Sequence, residues 1–261
     1  MSFTRRFAGL ALIGLMTFTA GVFAQAPDWK KVRIGVEGAY PPFSEVGTDG
    51  KIKGFDIDIA NALCAEMKAE CTLVAQEWDG MIPALQARKF DAIIASMAIT
   101  EERKKSVAFT DKYYNTPAWL IGKAGLADQS PAAWKGKKIG VQRTTTHDRY
   151  VTQYYKDSEI VRYAKQDEIF LDLAAGRLDA SLQDSVAADL GFLKKPAGKG
   201  FARIGPPMDD PVIFGIGSGI ALRKTDTALL EKFNAAIKAI RANGTYKKIQ
   251  DKYFDFDIYG Q

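Results

Sequence analysis

Histidine and cysteine are nearly absent from this chain. Its 261 residues hold one histidine, His147, and two cysteines, Cys64 and Cys71. A structural zinc site takes four soft or borderline ligands, so no metal and no cofactor is expected. No Ser–His–Asp order and no Gly-rich phosphate loop is visible. Strong net charge is missing too. The 36 Lys and Arg stand against 31 Asp and Glu, a formal +5, and the basic residues are spread along the chain. Binding of nucleic acid is therefore not implied. Beyond the first two dozen residues, no stretch is long and apolar enough to cross a bilayer.

Those first residues have a character of their own. Arg5 and Arg6 precede an apolar run from Phe7 to Thr19, and "AGVFAQA" offers small residues at cleavage spacing. This reads as a secretory signal peptide ending at Ala24, or at Ala26. Its loss removes two arginines and leaves 34 basic against 31 acidic residues, a mild +3. In an exported protein, two cysteines seven residues apart read as one local disulfide.

The remaining chain alternates strand and helix patterns, which argues for an α/β class with parallel sheets. "VRIGVE" is a β run. "DIDIANALCAEM" places Ile57, Ala60, Leu63, Cys64 and Met67 at helical spacing, with Asp56 positioned to cap it. "FDAIIAS" reads as a buried strand. The chain then echoes itself. "LQARKFDAIIAS" (Leu85 to Ser96) matches "LAAGRLDASLQD" (Leu173 to Asp184), and "RIGVE" ending at Glu37 matches "KIGVQ" ending at Gln142. The echoes suggest two lobes built alike.

Ligands of open α/β sheets sit beyond the carboxyl ends of the strands. The residues at those ends are Glu37, Ala95-Ser96, Gln142 and Asp184, and Arg103 follows soon after Ser96. Two facing lobes would gather them on one cleft. Charges of both signs there suit a zwitterion carrying an extra positive charge.

Taken together, "EGAYPPF", "GFDIDIANALC", "WDGMIPAL", "DAIIASMAITEERKKSVAFT", "GRLDASLQD" and "NGTYKKIQDKYF" resemble the periplasmic solute-binding proteins of amino-acid ABC importers. The similarity is greatest to the lysine/arginine/ornithine-, histidine- and octopine/nopaline-binding group, and it covers essentially the whole mature chain. The resemblance implies a two-lobe type II binding-protein fold with two crossing hinge strands. Lobe one would comprise 27–115 and 218–261, and lobe two 119–211, with hinges near 116–122 and 212–218. It also implies a monomer that delivers its ligand to a membrane permease, and it pairs Cys64 with Cys71.

The resemblance assigns roles residue by residue. Arg103 takes the ligand α-carboxylate, for which a rigid guanidinium fork is suited, with Thr100 helping. Asp184 takes the α-ammonium and also suits a helix N-cap. Ser96 lies near that ammonium. Glu37 matches a position that carries an acid when the ligand side chain is cationic. Tyr40 and Trp78 sandwich the methylene stem, and a ring facing a guanidinium contributes about 0.5–2 kcal/mol. Gln142 is a side-chain contact. Thr145 and Thr146 offer backbone N–H and hydroxyl groups to the carboxylate at the start of a helix. His147 reads as a cap or surface residue.

Three positions depart from the pattern. Ala95 and Ala98 stand where serine is common, and Thr144 stands where glycine is usual, so a shifted loop is expected there. The leading reading is capture of arginine, ornithine or lysine in the periplasm, without catalysis. Binding of an opine or of histidine is an alternative. So is an exported cyclohexadienyl dehydratase-like enzyme on the same fold, with Glu37 as general acid.

Overall fold

A computed structural model describes residues 28–260. The expected signal peptide, 1–24 or 1–26, lies outside the described residues.

Thirteen strands appear among the described residues. In chain order they are β1 (Lys31–Val36), β2 (Ala39–Tyr40), β3 (Ser44–Val46), β4 (Ile52–Lys53), β5 (Glu70–Ala75), β6 (Ala92–Ile93) and β7 (Ala108–Tyr114). Then follow β8 (Ala118–Lys123), β9 (Lys138–Gln142), β10 (Glu159–Tyr163), β11 (Ala180–Asp184), β12 (Phe201–Met208) and β13 (Ser218–Leu222). Two five-stranded sheets result, ordered β5-β1-β6-β13-β7 and β10-β9-β11-β8-β12, with a small β2-β3-β4 sheet beside the first. In each large sheet a parallel trio comes first, β5-β1-β6 or β10-β9-β11. Antiparallel strands complete it, β13 with β7 or β8 with β12. The echoed sequences therefore occupy equivalent places: β1 and β9, then β6 and β11.

Helices cover the sheets. The first lobe carries α1 (Phe55–Glu66), α2 (Met81–Gln86) and α3 (Glu101–Lys104). The second carries α4 (Thr146–Tyr154), α5 (Gln166–Ala174) and α6 (Ser185–Ala188). After α7 (Pro211–Phe214), the chain returns to the first lobe and ends with α8 (Thr227–Ala242) and α9 (Thr245–Gln250). The apolar stripe of α1, with Ile59 and Leu63, shares one core with Phe233 and Ile237 of α8. Full burial of each such side chain is worth about 1.5–3 kcal/mol. Cys64 and Cys71 form a disulfide that ties α1 to the start of β5.

Asp56 does not cap α1. Gly54 is the N-cap, at φ 132°, and a Cβ there would lie 2.3 Å from the Phe43 carbonyl oxygen. The glycine turns the chain so tightly that Asp56 falls inside the helix, fully buried. The strand expected over "FDAIIAS" pairs only at Ala92–Ile93, because the chain leaves the sheet before Ser96, whose φ is +55°. The chain passes to the second sheet through residues 115–117 and returns through 209–217. The first passage is shorter than the 116–122 span expected, because Ala118–Gly122 already pair with β11.

Candidate ligand-binding site

The strand ends meet where the lobes face each other. Glu37 follows β1, Ser96 lies three residues past β6, and Gln142 and Asp184 end β9 and β11. One narrow cavity of about 40 Å³ is walled by Glu37, Tyr40, Trp78, Ser96 and Arg103 from the first lobe. Gln142, Thr145 and Thr146 wall it from the second. Asp184 lines an adjoining cavity of about 320 Å³ that shares Tyr40, Ser96 and Thr146.

Arg103 marks one end. Thr100 caps α3 by accepting the Arg103 N–H at 3.2 Å, which sets the helix that carries the guanidinium. One guanidinium nitrogen donates to the Ala98 carbonyl at 3.0 Å, and the group lies 5.1 Å from the Trp78 ring centroid. Burial lowers the Arg103 pKa to about 10, so it stays charged at neutral pH. Among the described residues no carboxylate comes within ion-pair reach of it. His147, in the first turn of α4, lines the same cavity. Burial first, then the Arg103 charge, lower its pKa to about 4, so it is neutral at pH 7.

Glu37 marks the other end. Gln142 donates to its Oε1 at 2.6 Å and to the Ala164 carbonyl at 3.1 Å. Burial raises the Glu37 carboxyl to about 7, against the lowering effect of the Gln142 bond. No cation is paired with it among the described residues. The Tyr40 ring stacks on Phe43, centroids 5.6 Å apart.

The third corner is acidic as well. Asp184 Oδ1 caps α6, accepting the Val186 and Ala187 N–H groups at 2.9 Å each. Its Oδ2 accepts from the Thr116 hydroxyl on the first passage between lobes. Burial raises its pKa, and those three donors oppose the rise. A carboxylate has about four acceptor sites, so capacity remains for one further donor.

A cleft at strand carboxyl ends, between two lobes joined by two passages, carrying an arginine and two acids without ion-pair partners among the described residues, suits a small charged solute. The model of bacterial extracellular solute-binding proteins, family 3, matches residues 32–256. The chain belongs to that family. An L-arginine-binding protein of Pseudomonas aeruginosa is 56% identical over 254 residues, 96% of this chain and 98% of that one. A lysine/arginine/ornithine-binding periplasmic protein of Escherichia coli is 45% identical over 252 residues, 95% and 96% of the two chains. Among solved structures, a Salmonella typhimurium periplasmic binding protein of high arginine specificity superposes with a TM-score of 0.80 at 37% identity. That match covers 86% of this chain and 99% of that one.

Within this family-3 cleft, eight of the nine expected site residues line one cavity and Asp184 lines its neighbour. Two details differ from expectation. The Thr145 hydroxyl is engaged inside the protein, donating to the Gln142 carbonyl at 2.7 Å and accepting the Asp148 N–H at 3.1 Å as the cap of α4. Thr144 does adopt the left-handed conformation, φ +59°, and its N–H donates to Asp148 at 3.1 Å. That side-chain acceptor holds a β-branched residue where glycine would sit without strain. The sequence pattern left His147 as a cap or surface residue, although it lines the cavity, and it did not reveal the burial of Asp56. Asp56 lies three, four and seven residues before Ile59, Ala60 and Leu63, on the apolar stripe of α1. An acid on that stripe was the available sign.

Proposed function

We propose that this family-3 protein captures a cationic L-amino acid, arginine ahead of ornithine and lysine, between its lobes. The distribution of unpaired charge carries this reading. Among the described residues Arg103, Glu37 and Asp184 have no ion-pair partner, Lys165 and Arg203 acting on the two acids only from beyond ion-pair distance. A zwitterion with a positively charged side chain supplies one anion and two cations. In this reading Arg103 holds the α-carboxylate, with the N–H groups near Thr145 and Thr146. Asp184 and Ser96 hold the α-ammonium. Tyr40 and Trp78 flank the stem, and Glu37, steadied by Gln142, faces the distal cation. The relative at 56% identity is named for L-arginine, which favours that ligand.

The protein acts as an exported receptor in the periplasm, a monomer that passes its ligand to an ABC permease. Residues 115–117 and 209–217 serve as the hinge, and ligand contacts from both lobes favour the closed state. No turnover is expected, since the cleft charges are matched by an amino acid bound intact.

Thermal shifts of the ligand-stripped protein test this. The panel is arginine, lysine, ornithine, histidine, octopine, nopaline, glutamine and glutamate, with prephenate and arogenate assayed for turnover. A ligand at 100 times its dissociation constant adds about 2.7 kcal/mol of stability. Stabilisation by arginine, lysine or ornithine is expected. A response confined to glutamine or glutamate, or conversion of prephenate or arogenate, would sink the proposal.

A further inference from the structure

The first turn of α1 holds a buried acid that, among the described residues, is bonded to no charged side chain and lies directly beneath a cleft residue. Asp56 is 0% exposed. Its Oδ2 accepts from the Ser96 hydroxyl at 2.9 Å, and its Oδ1 accepts from the Tyr113 hydroxyl at 3.0 Å. The Tyr113 oxygen in turn accepts the Ser96 backbone N–H at 3.0 Å. Asp56 and Tyr113 thus grip both donors of Ser96, from two different elements of the first lobe. Ser96 sits at φ +55°, a conformation that costs a non-glycine residue about 1–2 kcal/mol. The clamp holds it there.

A structural staple does not account for this arrangement. Burying an acid without a cation is costly. Among the described residues no cation pairs with Asp56. The charged group that acts on it from β1's end is another acid, Glu37. The helix around it is capped by Gly54, with no side-chain capping bond. Two hydroxyls of neutral residues would be satisfied as well by an amide. What a carboxylate does differently is accept only. It obliges Ser96 to spend its single hydroxyl proton inward, which leaves the Ser96 oxygen an acceptor toward the cleft. An acceptor suits an ammonium and disfavours a carboxylate.

We propose that Asp56 is a positioning residue for the α-ammonium end of the cleft, setting the direction of the Ser96 hydroxyl and holding Ser96 in its left-handed conformation through Tyr113. This rests on the reading of the cleft as an amino-acid site. Asp56 touches the ligand only through Ser96, and its negative charge adds to that of Asp184 at the same corner. Burial raises the Asp56 pKa to about 7, with the Ser96 and Tyr113 bonds opposing, and a cation arriving at Ser96 favours the ionised form that fixes the hydroxyl.

The experiment compares two ligands by calorimetry at pH 8: arginine, and 5-guanidinovalerate, which keeps the carboxylate and guanidinium but lacks the α-amino group. Asp56→Asn should weaken arginine about tenfold or more, the scale of one hydrogen bond to a charged group, and leave 5-guanidinovalerate within about twofold. Ser96→Ala should reproduce that selective loss, and adding Asp56→Asn to it should cost arginine little more. Equal losses for both ligands would assign Asp56 a purely structural role and overturn the proposal. So would additive losses in the double variant, or unchanged arginine affinity in Asp56→Asn. Failure of the wild-type protein to bind arginine at all refutes the amino-acid reading itself, which separates the two. Should Asp56→Asn prove poorly folded, Tyr113→Phe removes the other half of the clamp, and the same selective loss is expected.

Discussion

Acidification probes the proposed side-chain contact directly. Burial holds the Glu37 carboxyl at about 7 in the ligand-free chain. A guanidinium seated beside it favours the ionised form and lowers that value. Below pH 7, then, Glu37 must give up a proton before the cation can bind. The sign follows: affinity is full above about pH 8 and falls as pH drops through 7, approaching tenfold per pH unit. For one group titrating at 7 the penalty is negligible at pH 8 and roughly 30-fold at pH 5.5. Arginine's own guanidinium stays charged throughout. Burial also raises Asp56 to about 7, so both acids contribute to the wild-type profile. Glu37→Gln isolates the contribution of Glu37. Calorimetry between pH 5.5 and 8 should show arginine losing roughly 30-fold more in the wild type than in Glu37→Gln. Citrulline, with a neutral ureido group of nearly the same shape, should bind the wild type more weakly than arginine at pH 8. Equal pH slopes in the two proteins, or parity of citrulline with arginine at pH 8, would refute the reasoning.

Other outcomes follow from the same geometry. In the proposed binding mode Arg103→Ala removes the partner of the ligand carboxylate, and it should cost about 3–5 kcal/mol of binding. Arg103→Lys should recover only part of it, because an ammonium lacks the bidentate fork, and titration of both variants with arginine checks this. Arg143 reaches across the cleft to Asp79 at 2.6 Å, with side chains 44% and 31% exposed. Arg143→Ala should remove about 0.5–1 kcal/mol and speed ligand release by up to about fivefold, with little change in capture, as seen by stopped-flow fluorescence. Replacing Cys64 and Cys71 by serine frees a loop spanning a seven-residue separation. That should cost about 2.5 kcal/mol and lower Tm by roughly 5–10 °C, without altering ligand affinity.

Much of the candidate site was legible because strand ends are legible. Glu37, Gln142 and Asp184 close apolar runs of alternating or continuous pattern, and the rule that α/β sheets bind at their carboxyl ends does the rest. Side-chain partners were not legible in the same way. Asp56 looked like a cap because it precedes an apolar helical pattern. The actual cap is set by the close approach of Gly54 to Phe43, a contact between turns that no periodicity records. The Thr145 hydroxyl was open to two uses, ligand or helix cap, and the local bond to Asp148 took it. At Thr144 the steric cost of positive φ was read correctly as a cost, but Asp148 lies one turn ahead and supplies an acceptor that holds the conformation. Each miss is a case where a short-range rule was overridden by one specific neighbour.

The charges of the cleft explain why closure should depend on a ligand. With the lobes in contact through Gln142–Glu37 and Arg143–Asp79, Arg103 and Glu37 are half-buried and Asp56 and Asp184 buried, each without an ion-pair partner among the described residues. Burial penalises each charged form, as the displaced pKa values record. Glu37 and Asp56 can escape by taking up protons near neutral pH, but a guanidinium at about 10 cannot shed its charge there. Opening of the lobes would be its remaining escape, by exposing Arg103 further to water. In the binding mode proposed, a cationic amino acid would relieve Arg103, Asp184 and Glu37 together, its carboxylate set against the first and its two cations against the two acids. A neutral amino acid would still offer its carboxylate to Arg103 and its ammonium to Asp184, but would leave Glu37 protonated or unpaired. In this reading, selectivity for a cationic side chain and dependence of closure on ligand would be two consequences of one arrangement of uncompensated charge.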